Sequence, residues 1–263
     1  MSEACSIETT NVLGCKVHDV DMDLTLETIR EFVKTDKPHL VVTADASAIV
    51  IAQSDPQFKD IINNAAMVTP DGVGVVFGAK FSEHPIRERV SGCDICENVL
   101  RIAAEDGFSV YFFGAKPGVA EKAAERMTRK YPGLKVAGTR NGYFDDEKDT
   151  PEIVKSIRES GAKALFVAMG IPKQEKWIVK NMDSLGISVA MGVGGTFDVL
   201  SGNVKRAPDF YRNHGLEWFY RLVKDRTKII KVILIPKFVL MVLFDYILRG
   251  GKKRKSIEAK KLI

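Results

Sequence analysis

The sequence has few of the features that mark secreted, zinc-binding or redox proteins. It contains four cysteines in 263 residues, too few for a disulfide scaffold. Cys93 and Cys96 form one C-x-x-C pair, but a structural zinc site needs two further ligands and the sequence has no second pair. We therefore interpret the cysteines as reduced thiols of a cytosolic protein, with a redox pair as the alternative. No basic segment followed by an apolar one opens the chain, so we expect no secretory signal.

Several motifs of common catalytic mechanisms are also missing. The sequence has no H-E-x-x-H zinc motif and no G-x-S-x-G nucleophile motif, so metal and serine catalysis are unsupported. The glycine-rich segments GVGVVFG (72–78) and GVGG (192–195) resemble phosphate-binding loops. Neither matches the P-loop or the dinucleotide-binding fingerprint, and tight turns would explain their glycines equally well.

Residues 1–204 alternate between short apolar segments and segments with helical periodicity. This alternation predicts βαβ units, and therefore a Rossmann-like α/β fold with a parallel sheet and helices on both faces. In such folds ligands bind beyond the carboxyl ends of the strands. The predicted strands lie in residues 39–44, 65–70, 108–115, 134–144, 163–172 and 187–198, and a helical stretch is predicted over 47–65.

Charge is divided unevenly between two parts of the chain. Residues 205–263 contain 16 Lys and Arg against 5 Asp and Glu, a net charge of +11. Residues 1–204 contain 23 basic and 29 acidic residues, a net charge of −6. This division predicts a folded body, 1–204, followed by a basic amphipathic appendage, 205–263, that meets a polyanion or an anionic membrane.

The appendage contains an apolar stretch, residues 229–248, that is long enough to cross a bilayer. Lys231, Lys237 and Asp245 interrupt it, and a charge at mid-depth costs about 2.5–3.5 kcal/mol on insertion scales. We therefore expect a helix that lies in the membrane interface, with apolar residues in the acyl boundary and cations at the lipid phosphates. The alternative is an amphipathic helix packed on the body or on another subunit.

Seven segments of the sequence occur together and in order in one known family. The segments are TPDGVGVV, ERVSGCD, YFFGAKPGVAEKAAE, YPGLKVAGTRNGYF, MGIPKQEKWI, GVGGTFDVLSGNVKRAP and LEWFYRL. On these segments the chain resembles the WecG/TagA/CpsF glycosyltransferases, glycosyltransferase family 26, over roughly residues 10–225. The resemblance implies an inverting, metal-independent and cofactor-free transfer of N-acetylmannosamine. The implied donor is UDP-N-acetylmannosamine, and the implied acceptor is the 4-hydroxyl of polyprenyl-diphosphate-linked N-acetylglucosamine at the inner face of the cell membrane.

The resemblance assigns the catalytic base to Asp71, in the segment TPDG. An inverting transfer needs a base beside the acceptor hydroxyl, on the side opposite the departing diphosphate. Without the resemblance, Asp71 would read more simply as a turn residue that accepts backbone hydrogen bonds. Thr43 matches a family threonine, whereas Asp45 stands where the family usually has asparagine. A second carboxylate there would either raise the proton affinity of Asp71 or alter which sugar is accepted.

The remaining matches imply roles in binding. Arg89 and Asp94 belong to an R-x-x-G-x-D signature, and Arg89 would contact the substrate or its diphosphate. The turn at Gly142 and Tyr143 would stack on the uridine. The other positions are Gln174 of the PKQE motif, Asp198 for the ribose hydroxyls, and Arg206 and Arg221 for the charge of the leaving group.

Two other functions remain open from the sequence. The same fold could use UDP-N-acetylmannosaminuronate or UDP-glucose, although the segment TADAS (43–47) supplies no cation near Thr43 and Asp71 for a carboxylate sugar. A non-catalytic module that binds a nucleotide sugar or a nucleic acid is the second, because a basic tail permits nucleic-acid binding. The apolar residues of the tail argue against nucleic acid. The sequence is compatible with a homo-oligomer and does not determine one.

Overall fold

The computed structural model of the protein describes residues 7–82, 84–208, 210–211, 219–220 and 233–248. The strands are β1 (Thr9–Val12), β2 (Cys15–His18), β3 (His39–Ala44), β4 (Met67–Pro70), β5 (Ser109–Gly114), β6 (Lys135–Arg140), β7 (Ala164–Ala168) and β8 (Val189–Gly192). The helices are α1 (Met22–Lys34), α2 (Ala46–Ala52), α3 (Pro56–Asn64), α4 (Val73–Ala79), α5 (Gly92–Asp106), α6 (Val119–Lys130), α7 (Thr150–Glu159), α8 (Lys173–Asn181) and α9 (Thr196–Leu200). Residues 233–248 form a further helix, which we call the C-terminal helix.

Six strands form one parallel sheet in the order β4-β3-β8-β7-β5-β6. Strands β1 and β2 form a separate antiparallel hairpin. Two hydrophobic cores lie on opposite faces of the sheet, and β3 supplies both, with Val42 in one and Val41 in the other. The first core takes in α2, α3, α7 and α8, and the second takes in α1, α5, α6 and α9. The predicted α/β fold with a parallel sheet covered on both faces is confirmed.

The predicted helical stretch 47–65 is wrong in one respect, because it consists of two helices, α2 and α3. Asp55 accepts a hydrogen bond from the Phe58 N–H and so caps α3, and Pro56 occupies its first turn. Proline is favoured there because its missing N–H and fixed φ suit a helix start. The sequence pattern also missed the β1–β2 hairpin and α1.

Most of the segment GVGVVFG lies in α4, so it is a helix and not a loop. Gly72 alone among its glycines has a positive φ, +136°, and the helix begins directly after it. The other two glycines leave room for a ring of the C-terminal helix. A Cβ atom added to Gly78 would lie 2.8 Å from the Phe238 ring, and one added to Gly74 would lie 3.9 Å from it.

The C-terminal helix is packed on the body through this contact. Phe238 is fully buried and Val242 is 4% exposed, and both belong to the core that includes α2 and α3. Tyr246 adds an edge-to-face contact with Phe81, which follows α4. Among the residues that the structure describes, no helix has the length and apolar character needed to cross a membrane.

A buried histidine links the hairpin to the sheet. His18, at the end of β2, is 7% exposed, and its Nδ1 accepts a hydrogen bond from the Val68 N–H in β4. This bond requires an unprotonated Nδ1. Burial, assisted by the charge of Lys16, lowers the pKa of His18 to about 4.

We expect the free energy of unfolding to fall on acidification between about pH 6.5 and pH 4, because unfolded His18 takes up a proton in that range and folded His18 does not. Urea unfolding midpoints measured across this range would test it. A His18→Asn variant, whose side-chain oxygen can still accept a hydrogen bond from the Val68 N–H, should lose the part of the pH dependence that His18 contributes. The prediction would be contradicted if the unfolding midpoints of the two proteins changed equally with pH.

Candidate active site

The carboxyl ends of the parallel strands form one edge of the sheet, which we call the carboxyl edge. At two places along it, the connections that leave neighbouring strands pass to opposite faces of the sheet. From β5 the chain passes through α6 to β6, whereas from the neighbouring β7 it passes through α8, on the other face, to β8. In the same way α2 follows β3 and α9 follows the neighbouring β8 on opposite faces. Such switch points open a crevice in which α/β proteins bind their ligands.

Asp71 lies half-buried at the carboxyl edge, directly after β4. Its Oδ2 accepts a hydrogen bond of 3.1 Å from the N–H of Gly92, the first residue of α5. A Cβ atom added to Gly92 would lie 3.0 Å from both Oγ1 and Cγ2 of Thr43 and 3.2 Å from the Asp71 carboxylate. Gly92 therefore brings together Thr43 and Asp71, which lie on neighbouring strands.

Asp45 lies beside this cluster, and its carboxylate accepts hydrogen bonds from residues at the start of α2. Its Oδ1 accepts hydrogen bonds from the Ala48 N–H, at 2.8 Å, and from the Ser47 hydroxyl, and so caps α2. Its Cβ lies 4.0 Å from the position of a Cβ atom added to Gly72. Asparagine caps helices as well as aspartate does, so the replacement of the family's asparagine leaves the cap intact.

Asp94 and Arg206 form an ion pair at the same end of α5. Asp94 lies in the first turn of α5, and Arg206 comes from the segment after α9, so the pair joins two distant parts of the sequence. Both side chains keep part of their surface exposed, 33% for Asp94 and 21% for Arg206. Arg89 precedes α5 and is half-buried. Arg221 lies outside the described residues.

Gln174 is buried between the turns that follow β7 and β8. Its Oε1 accepts hydrogen bonds from the N–H groups of Gly170, at 3.0 Å, and Gly194, at 3.1 Å. Its Nε2 donates to Oε1 of Glu175 at 2.7 Å. Pro172 precedes the first residue of α8, so the PKQE motif forms the start of this helix.

The other predicted binding residues lie further along the carboxyl edge. Asp198 is in the first turn of α9, after the GVGG turn. Gly142 lies against Gly114 at the end of β5, and Tyr143 beside it is 66% exposed. Because neighbouring strands are about 4.8 Å apart, five spacings place β6 about 24 Å from β4. The structure thus brings Thr43, Asp71 and Asp94 to one end of the edge and Tyr143 to the other.

The C-x-x-C pair is not a feature of this site. Cys93 and Cys96 are buried in the first turns of α5, and neither forms a disulfide. Burial raises the pKa of the Cys96 thiol well above its usual range, so it stays protonated and unreactive. Within the described residues, no group of three or more His, Cys, Asp or Glu side chains is arranged to hold a metal ion.

The family of the chain is shown by a match over most of its length. Residues 10–252 match the sequence model of the glycosyl transferase WecG/TagA/CpsF family. The chain belongs to this family. The predicted resemblance is confirmed, and the match extends past Arg221 into the C-terminal helix.

Three curated relatives carry the same name, N-acetylglucosaminyldiphosphoundecaprenol N-acetyl-beta-D-mannosaminyltransferase. The relative from Bacillus spizizenii is 36% identical over 85% of this chain and 87% of its own length. The one from Bacillus subtilis is 32% identical over 78% of each chain. The one from Staphylococcus aureus strain MW2 is 30% identical over 99% of each chain. This chain thus spans most of the length of each of these glycosyltransferases.

Two residues of this WecG/TagA/CpsF site were not singled out from the sequence. Gly92 stands inside the R-x-x-G-x-D signature, so the signal was present, but a glycine whose N–H binds a carboxylate cannot be told from a packing glycine. Glu175 follows Gln174 in the PKQE motif and looks like an ordinary first-turn acid. Its burial, 1% exposed, marks it as unusual.

We expect Gly92→Ala to lower kcat about tenfold, because the added methyl group would displace Thr43 and Asp71 by a few tenths of an ångström. The measurement is UDP release with the circular dichroism spectrum as a check on folding. The compensating variant Gly92→Ala with Thr43→Ser removes the contact with Cγ2 and should recover part of the activity. A fully active Gly92→Ala enzyme would exclude this role for Gly92.

Proposed function

We propose that the protein transfers N-acetylmannosamine from UDP-N-acetylmannosamine to the 4-hydroxyl of polyprenyl-diphosphate-linked N-acetylglucosamine, with inversion at the anomeric carbon. The observation that carries the proposal is the cluster of Asp71, Thr43 and Gly92 at the carboxyl edge. It joins three separate family motifs in a chain whose relatives are named for this transfer.

In this mechanism Asp71 is the general base. Its carboxylate accepts the proton of the acceptor hydroxyl while that oxygen forms a bond to the anomeric carbon from the face opposite UDP. The bond between the anomeric carbon and the diphosphate oxygen breaks, and UDP departs with the electron pair. The hydrogen bond from the Gly92 N–H holds the carboxylate in place, and Thr43 is close enough to help orient the hydroxyl.

The departing UDP carries negative charge that must be stabilised, and we assign this to arginine. Arg206 is positioned by its ion pair with Asp94, within the same helix turn as the Asp71 contact. Guanidinium groups match phosphate oxygens in geometry and charge. Arg89 and Arg221 remain candidates for the same task.

A neutral donor sugar fits this site better than a sugar acid. Asp45, Asp71 and Asp94 place three carboxyl groups around the end of the edge where the sugar would lie. A uronate would bring a further negative charge among them, and like charges at short range repel. We therefore keep N-acetylmannosamine ahead of N-acetylmannosaminuronate. A donor screen that includes UDP-glucose, with one lipid acceptor, would test this choice directly.

We also propose that the protein binds peripherally to the inner face of the cell membrane through its appendage, residues 205–263. The C-terminal helix carries an exposed apolar stripe at helical spacing, Leu240, Phe244 and Ile247, each at least 64% exposed. Its opposite side is already packed on the body, so the stripe is not part of the core. Phe77 of α4 is also exposed, at 38%. Such a surface is typical of helices in a lipid interface and not of nucleic-acid binding.

We expect Asp71→Asn to lower the rate of UDP release about 100- to 10,000-fold, the usual contribution of a general base. The assay uses purified protein, UDP-N-acetylmannosamine and a short-chain lipid acceptor. Asp60→Asn, at an exposed position of α3, is the matched control and should keep full activity. The mechanism further requires equal rates with and without EDTA. An Asp71→Asn enzyme with the wild-type rate would exclude Asp71 as the base.

We expect the double variant Leu240→Gln, Phe244→Gln to bind vesicles that contain anionic lipid at least about tenfold more weakly, because each lost apolar side chain removes about 1.5–3 kcal/mol of burial. Flotation of the vesicles measures the binding. Val179→Gln, at an apolar position of α8 that is 45% exposed, is the control and should float like the wild type. Unchanged flotation of the double variant, with loss of self-association in ultracentrifugation, would instead assign the stripe to a second copy of the chain.

A further inference from the structure

Glu175 is a buried acid with no place in the mechanism described so far. It is 1% exposed and belongs to the first turn of α8. Its Oε1 accepts a hydrogen bond of 2.7 Å from Nε2 of Gln174, which is itself 2% exposed. Burial of a carboxyl group is costly unless it is hydrogen-bonded, so this arrangement indicates a specific task.

The backbone beside Gln174 and Glu175 leaves space for both side chains, because the residue there is a glycine. A Cβ atom added to Gly192, the last residue of β8, would lie 2.4 Å from Nε2 of Gln174 and 2.6 Å from Oε1 of Glu175. Contacts this short do not occur for real Cβ atoms, and both atoms belong to buried side chains. Gly192 is therefore the residue that lets the two side chains reach the end of β8.

The hydrogen bonds of Gln174 determine the orientation of its side-chain amide, that is, where its oxygen and its NH2 group lie. Its oxygen accepts from the N–H groups of Gly170 and Gly194, which uses both of its lone pairs. A reversed amide would point its own N–H groups at these two donors and at the same time lose the bond to Glu175. Glu175 thus selects the orientation in which Gln174 can join the two turns.

We propose that Glu175 is a positioning residue, which orients Gln174 so that its oxygen ties the Gly170 turn to the Gly194 turn and shapes the wall that receives the donor. The inference rests on the proposed function, because it takes the ligand at these turns to be the nucleotide sugar. Each turn adjoins one of the two switch-point crevices of the carboxyl edge. In this arrangement Gln174 has at most one N–H left to offer a ligand, so its main effect is exerted through the backbone.

An exchange of the two side chains tests this directly. Gln174→Glu alone places two carboxyl groups against each other, and we expect kcat/KM for the donor to fall about 100-fold because both turns shift. Adding Glu175→Gln restores the pattern, since residue 174 again accepts from both N–H groups and residue 175 now donates to it. The double variant should recover to within about tenfold of the wild type. KM for the lipid acceptor should change little in either variant.

The controls distinguish the positioning role of Glu175 from a direct contact between Gln174 and the donor and from a failure of the proposed function. Glu121→Gln, an exposed first-turn glutamate of α6, should leave all constants unchanged. Rates are normalised to the folded fraction. A variant that only loses stability would then keep the wild-type KM for the donor, and this result would overturn the positioning role. A double variant as poor as Gln174→Glu would also overturn it, because it would mean that Gln174 contacts the donor itself. A wild-type enzyme without transferase activity would refute the proposed function instead.

Discussion

The site depends on one hydrogen bond, from the N–H of Gly92 at the start of α5 to the carboxylate of Asp71. A Cβ atom at Gly92 would lie 3.0 Å from Thr43 and 3.2 Å from the Asp71 carboxylate, so a larger residue would displace both by a few tenths of an ångström. Gly92 joins β3, β4 and α5 at one point of the carboxyl edge. The same turn of α5 holds Asp94 and, through it, Arg206. The proposed base and a cation from distant parts of the chain are thereby fixed relative to each other.

Packing extends from this point to the C-terminal helix. Gly72 follows Asp71 and begins α4, and the glycines of α4 receive the Phe238 ring. The helix that bears the exposed apolar stripe therefore rests on the helix that follows the proposed base.

Much of the fold was predictable because buried parallel strands are uniformly apolar and their connecting helices are amphipathic. The strands at 39–44 and 108–115 illustrate this, and they match β3 and β5 within a residue. Elements without such a signal were missed. The β1–β2 hairpin is short. Helix α4 reads as a glycine-rich loop, because the side chain that leaves no room for a Cβ atom at Gly78 is Phe238, which is 160 residues away in the chain.

The sequence alone determined the alternation of strands and helices, the basic appendage and the motifs that place Asp71 after a strand and Gln174 at a helix start. It could do so because periodicity, charge and motif spacing are local properties of a chain. Only the tertiary structure decided that Thr43 and Asp71 meet at Gly92, that Asp94 pairs with Arg206, and that Glu175 is buried with a hydrogen bond from Gln174. These contacts join residues from different strands and helices, and their distances are set by sheet order and by the space that a missing Cβ leaves.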